Sequence, residues 1–124
     1  MNRSILNGAC AFVVLLLFAT AASAACPDSP KVRGAQQKDQ ARLLKACLDD
    51  GGKMHGICDS VPTCSQADSK DVLQGKISQA QKCIDARRAI TKDWYNGNAD
   101  LGHDAAVEGK VNQANNCIIL WSRK

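Results

Sequence analysis

Apolar side chains along this 124-residue chain recur every three or four positions, and the runs between them are rich in Gly, Asn, Asp and Pro. That is the period of helices, not the strict alternation of half-buried strands. Leu43, Leu44, Cys47 and Leu48 share one face of a helix predicted from about Gly34 to Leu48. Asp49-Asp50-Gly51-Gly52 then reads as its stop, and the segment onward to Ala67, with Pro62 and the closely spaced Cys58 and Cys64, reads as an irregular loop. Leu73, Ile77, Ala80 and Ile84 follow a four-three-four spacing that predicts a second helix from about Ser69 to Asp93. Val107, Val111, Ala114, Ile118 and Trp121 carry the same spacing and predict a third from about Leu101 to Trp121. The expected fold class is all-α: a small three-helix domain with an α-hairpin and a cysteine-rich loop, stapled by disulfides.

The densest apolar run lies at the start of the chain. Arg3, the run from Ala9 to Phe18 and the small residues Ala22-Ser23-Ala24 have the three-part form of a secretory signal cleaved after Ala24. The run is shorter than the roughly 20 residues a spanning helix needs, and no second one follows, so no transmembrane segment is expected once it is removed. Lipid attachment at Cys26 is the rival reading, but Ser23 stands where a lipoprotein signal normally carries Leu. The expected organisation is a signal peptide over 1–24 and a single domain over 25–124, secreted or periplasmic, with a two-proline leader from Ala25 to Pro30.

Export changes how the cysteines are read. Cys10 leaves with the signal, and Cys26, Cys47, Cys58, Cys64, Cys83 and Cys117 form an even set that implies three disulfides in an oxidising compartment. Aromatic residues after the signal are limited to Trp94, Tyr95 and Trp121, so a chain of this size buries little apolar surface and depends on its bridges. An antiparallel hairpin turning between Asn96 and Leu101 sets Cys83 and Cys117 within about one residue of level, or roughly 1.5 Å of axial rise, and makes them a candidate pair if both face the partner helix. Cys26, Cys47, Cys58 and Cys64 then have three possible connectivities. The second and third helices also resemble each other, Gly75-Lys76-Ile77-Ser78-Gln79-Ala80 aligning with Gly109-Lys110-Val111-Asn112-Gln113-Ala114. Two copies are fewer than the three or so a helical solenoid needs.

Charge excludes little. Arg3 is the only charged residue in the signal, so 15 of the 16 basic residues remain beside 12 acidic ones, a net of +3 spread over all three helices. Such a distribution is usually a solvated face and gives no support to sequence-specific nucleic-acid reading. No phosphate-binding Gly-rich loop and no Gly-x-Ser-x-Gly turn occurs, and each remaining cysteine has a disulfide role, which argues against a catalytic thiol. His55, with Cys58, Cys64 and His103, lacks the paired Cys-x-x-Cys spacing of a zinc site; it reads as an exposed loop residue, with Met54 packed under the loop. No cofactor and no metal is expected.

The candidate chemistry lies in Asn96-Gly97-Asn98-Ala99-Asp100-Leu101-Gly102-His103-Asp104. Asn and Gly make the turn, Asp100 is a natural N-cap for the following amides, and Asp104 complements the positive end of the helix. A histidine at this position, oriented by Asp100, has the ionisation range of a general acid or base. Arg87 or Arg88 on the preceding helix offers a fixed positive charge, and Trp94 and Tyr95 offer stacking surfaces for a base or sugar.

Cys83-x-x-Ala86-Arg87-x-x-Ile90, Tyr95-x-Gly97-x-x-Asp100-x-Gly102-His103-x-x-Ala106 and Asn116-Cys117 resemble the bacterial polymorphic-toxin domain family called novel toxin 16, over about a third of residues 25–124. The resemblance implies a mostly helical, cysteine-containing toxin domain in which the Asp-x-Gly-His segment joins two helices. It makes His103 and Asp100 the leading catalytic candidates, with Arg87 behind them. Domains of that family usually end long exported toxins, whereas here the domain directly follows its own signal. Two readings result. In one, the protein is a small exported toxin-like hydrolase, nuclease-like, whose partners are nucleic acid or an envelope component and a cognate inhibitor protein. In the other, it is a non-catalytic secreted or periplasmic module that binds through a helix face.

Overall fold

The computed structural model describes residues 26–98 and 101–124. Residues 1–24, expected to be a signal peptide and containing Cys10, lie outside the described residues, as does Asp100. A 3-10 turn over Cys26–Asp28 is followed by α1 (Pro30–Arg33), α2 (Gln37–Cys58), α3 (Lys70–Trp94) and α4 (Leu101–Ser122). The described residues are all-helical, as the apolar spacing predicts, and no helix among them is long and apolar enough to cross a membrane. Ser29 caps α1, its hydroxyl accepting from the Val32 amide, and Pro30 opens the helix where a missing N–H costs nothing. Ser69 caps α3 in the same way, accepting from the Val72 amide at 3.2 Å.

The first long helix corrects the sequence reading. It does not stop at Asp49-Asp50-Gly51-Gly52 but continues ten residues past Leu48 to Cys58, so His55 and Met54 are helical and the loop starts at Asp59. Its buried residues, Cys47, Gly51, Met54 and Cys58, form a stripe that passes straight through the glycine pair. Each interior glycine costs about 1 kcal/mol of helix propensity. Burial of Met54 at 4% exposure and the bridge at Cys58 offset that cost. Asp50 is a tether as well as a helix residue, accepting from the Trp94 indole N–H at 3.0 Å.

Helix α3 packs on both other long helices, and its two faces seed two apolar clusters. Cys83, Ile90 and Trp94 join Cys26, Val32, Cys47, Met54 and Cys58 on the side of α1 and α2. Ala80 and Ile84 meet Ala114 on α4, flanked by Val107 and Val111. Val61, from the loop, packs against both. Ile118, expected in the stripe of α4, is 46% exposed, and Cys117 at 1% is buried instead.

The bridges are Cys26–Cys47, Cys58–Cys83 and Cys64–Cys117. The predicted Cys83–Cys117 pair does not form. The condition that fails is facing, because Cys83 sits about 60 to 100° around the helix from the Ala80 and Ile84 stripe that meets α4. It therefore faces α2, and Cys117 faces the loop. The loop is fastened to the hairpin by polar contacts too. The Lys76 ammonium donates to Asp68 at 2.7 Å and to the Thr63 carbonyl at 2.9 Å, the Gln113 amide to the Pro62 carbonyl at 2.9 Å, and Lys124 to the Gln66 carbonyl at 2.6 Å.

Two predictions follow from these contacts. No atom lies within 4 Å of a Cβ added at helical Gly52 or Gly56, so Gly52→Ala and Gly56→Ala should each stabilise the oxidised protein by about 0.5–1 kcal/mol in urea unfolding. A neutral result at Gly52 would mean the helix stops where the sequence pattern placed its end. The Lys76 hydrogen bond, then the Ser65 amide, hold the Asp68 carboxyl below its ordinary value. A depressed carboxyl stabilises the fold above its unfolded pKa, and that stabilisation is lost as pH falls through the folded pKa. Lys76→Met should therefore flatten the acid limb of the stability curve below about pH 4 while changing its shape near neutrality little.

Candidate active site at the hairpin apex

The turn between α3 and α4 is built by backbone geometry. The Tyr95 and Gly97 amides both donate to the Thr91 carbonyl, at 3.1 and 3.0 Å, and the Asn98 amide donates to the Tyr95 carbonyl at 2.9 Å. Asn96 at φ 54° and Gly97 at φ 80° lie in the left-handed region that Asn and Gly enter most cheaply. The turn chemistry read from Asn96-Gly97-Asn98 is thus present.

His103 stands in the first turn of α4, half-buried, with its ring centroid 5.6 Å from that of Tyr95 and the planes tilted by 42°. Tyr95 stands against one side of the imidazole and is the C-cap residue of α3, so the pair reports the closure of the hairpin. Asp104 is in the same first turn. Asp100, the expected orienter, is among the residues not described.

An open cleft of about 290 Å3 at the same end of the hairpin is lined by Arg88, Thr91, Lys92, Gly97, Asp104 and Val107, and His103 is not among its lining residues. Its cations are Arg88 and Lys92, one helical turn apart on α3, and its carboxylate is Asp104 across the seam on α4. Arg87, the expected cation, takes a different position: it is half-buried on the face of α3 between the two apolar stripes, and its Nε is buried without a hydrogen-bond partner. A charged donor left unmatched in this way is costly in a core and is a feature that calls for an explanation. Lys92 was missed in the sequence; the i, i+4 spacing of Arg88 and Lys92 is the signal that could have found it.

Trp94 is unavailable for stacking on a ligand. It is 4% exposed, donates to Asp50, and has the Lys31 ammonium 4.6 Å from its ring centroid. Ser29 donates its hydroxyl proton to the Trp94 carbonyl, so this residue joins α1, α2 and α3. His55 is likewise not the exposed loop residue expected: it is half-buried on α2, with Nδ1 3.8 Å from an Asp59 oxygen and a buried Nε2 that has no hydrogen-bond partner. All six cysteines from Cys26 onward are oxidised to disulfides, which removes them as thiolate nucleophiles or ligands.

The family model described as novel toxin 16 matches residues 34–119. The chain belongs to the novel toxin 16 family. Comparison with curated proteins and with solved structures gave no match. The matched span contains Arg87, Arg88, Lys92, Asp100, His103 and Asp104, so the apex lies inside the novel toxin 16 unit. It begins after Cys26, which leaves the Cys26–Cys47 bridge half outside it.

A side chain at position 97 would have room but not the right backbone, since no atom lies within 4 Å of an added Cβ while φ is positive. Gly97→Ala should cost about 1–2 kcal/mol by urea unfolding, whereas Gly109→Ala, in a helix with equal space, should not destabilise.

Proposed function

We propose that this novel toxin 16 protein is an exported toxin-like hydrolase that cleaves nucleic acid at the hairpin apex. The observation that carries the reading is the cleft in which Arg88 and Lys92 of α3 face Asp104 in the first turn of α4, the turn that also carries the half-buried His103. A phosphodiester is the substrate group such a cleft favours, because two cations and the free amides of a helix start all attract a phosphate. His103 then takes the proton from the attacking hydroxyl or water, Asp100 orients the imidazole, and Arg87 supplies a further positive charge from the inner side of α3. Tyr95 limits the tilt of the imidazole.

Three disulfides and a toxin family both support action outside the cytosol of the producing cell. Residues 1–24 are the proposed export signal, and residues 25–124 the working domain. A cognate inhibitor protein is the proposed partner in the producing cell, and nucleic acid or an envelope component the proposed target. The second reading, a non-catalytic module that binds through a helix face, is favoured by Ile118 and Ile119 on α4, each 46% exposed.

Oxidised wild type and His103→Ala, both checked for helicity by circular dichroism, are to be incubated with RNA, DNA, peptidoglycan and phospholipid. Wild type should cleave a nucleic acid, and His103→Ala should lose about 10²–10⁴-fold of that rate while keeping its fold. Cleavage of peptidoglycan or lipid alone would replace the substrate class, and no cleavage by wild type would transfer support to the binding module. Separately, Arg88→Ala and Lys92→Ala should each lower the salt dependence of single-stranded RNA binding by about 0.7 in the log–log slope.

A further inference from the structure

The three disulfides are not equivalent. Cys26, Cys47, Cys58, Cys83 and Cys117 are all buried, at 4% exposure or less, whereas Cys64 is half-buried in a loop whose neighbours Thr63, Ser65 and Gln66 are exposed. Thiol–disulfide exchange needs in-line access of a thiolate to one sulfur, so exposure decides which bridge is attacked first. The surroundings also favour an anion there. The Lys76 ammonium is bonded to the Thr63 carbonyl and the Lys124 ammonium to the Gln66 carbonyl, and with Asp68 paired to Lys76 the loop around Cys64 keeps one net positive charge.

What the bridges hold differs as well. Cys26–Cys47 ties the 3-10 turn ahead of α1 to α2, Cys58–Cys83 ties α2 to α3, and the larger apolar cluster lies among those elements. Helix α4 packs on α3 through Ala114 and the half-buried Val107 and Val111 against Ala80 and Ile84. Beyond that it is held by the apex turn at one end and, toward the other, by Cys64–Cys117 and by the Lys70 ammonium 4.2 Å from the Trp121 ring centroid, and the Gln113 and Lys124 contacts to the loop are exposed to solvent. Exposed polar contacts of this kind contribute little once their covalent neighbour is gone.

We propose that Cys64–Cys117 is the thiol–disulfide exchange site of the protein, a latch whose opening releases α4 while α1, α2 and α3 stay joined. The thiolate of an incoming dithiol attacks Sγ of Cys64 and forms a mixed disulfide as the Cys64–Cys117 bond breaks, and Cys117 leaves as a thiolate that takes up a proton. The second thiol of the reductant attacks its own bonded sulfur, expels Cys64 as a thiol after protonation, and leaves the reductant as its disulfide. Both electrons come from the dithiol. Releasing α4 withdraws His103 from Tyr95 and opens the apex cleft, so a reduced chain is inactive; only that consequence for activity rests on the hydrolase reading above.

The test uses the oxidised protein without denaturant, treated with graded dithiothreitol, quenched with iodoacetamide and mapped by mass spectrometry. Cys64 and Cys117 should be alkylated at least about tenfold faster than the other four cysteines. In the species with that bridge open, deuterium uptake should rise at least about tenfold across α4 while the amides of Leu73 to Ile90 and of α2 stay protected. Opening of another bridge first, simultaneous opening of all three, or unchanged protection of α4 would overturn the proposal. The double variant Cys64→Ser/Cys117→Ser should show the same exchange pattern with no reductant, and loss of protection in α2 and α3 as well would count against a latch. These readouts do not involve catalysis, so they fail or succeed independently of the hydrolase reading.

Discussion

The Cys58–Cys83 bridge joins the last residue of α2 to the middle of α3, and the placement of both neighbouring elements depends on it. It turns one face of α3 toward α2, which leaves Ala80 and Ile84 to receive α4. Five half-cystines stand among the buried apolar residues beside Val32, Met54, Leu73, Ala80, Ile84, Ile90, Trp94 and Ala114. With so few large aliphatic side chains, burial alone leaves a small margin against the entropy of ordering the chain. Cross-links relieve that deficit by narrowing the unfolded ensemble, each by about 2–4 kcal/mol.

The two helices of the hairpin were legible because each carries an apolar stripe long enough to show its period, and Ser69 marks the start of α3 within one residue of where the spacing put it. The end of α2 was not legible. Asp49-Asp50-Gly51-Gly52 has the composition of a stop, and what overrides it is tertiary: a buried Gly51, a buried Met54 and an indole N–H bonded to Asp50, none of which local propensity contains. The false Cys83–Cys117 pair has a related origin. Sequence spacing gives height along a helix well, but the azimuth of a residue has meaning only once it is known which neighbours the helix has.

At the apex, the sequence located the turn and His103 but ranked the cations by motif. Arg87 and Arg88 are adjacent in sequence and about 100° apart around α3, which is enough to put one between the apolar stripes and the other in the cleft. Trp94 shows the same effect of azimuth and burial. It closes a knot of contacts with Ser29, Lys31 and Asp50, so the end of α3 is rigid at the point where the backbone must turn into positive φ. A rigid helix end followed by a turn of fixed geometry is a scaffold that sets Tyr95 against the ring of a single histidine.

The order of the bridges along the chain has a consequence for biogenesis. Cys26 pairs with the next cysteine, Cys47, but the remaining four interleave, Cys58 reaching past Cys64 to Cys83 and Cys64 reaching past Cys83 to Cys117. A chain that emerges N-terminus first presents Cys58 and Cys64 to an oxidant before either native partner exists, and the short loop between them closes at small entropic cost. Consecutive oxidation therefore leads into a mispaired intermediate, and reaching the native connectivity requires an exchange of partners on the timescale of disulfide reshuffling. The yield of this protein is set by isomerisation of sulfur as well as by its oxidation.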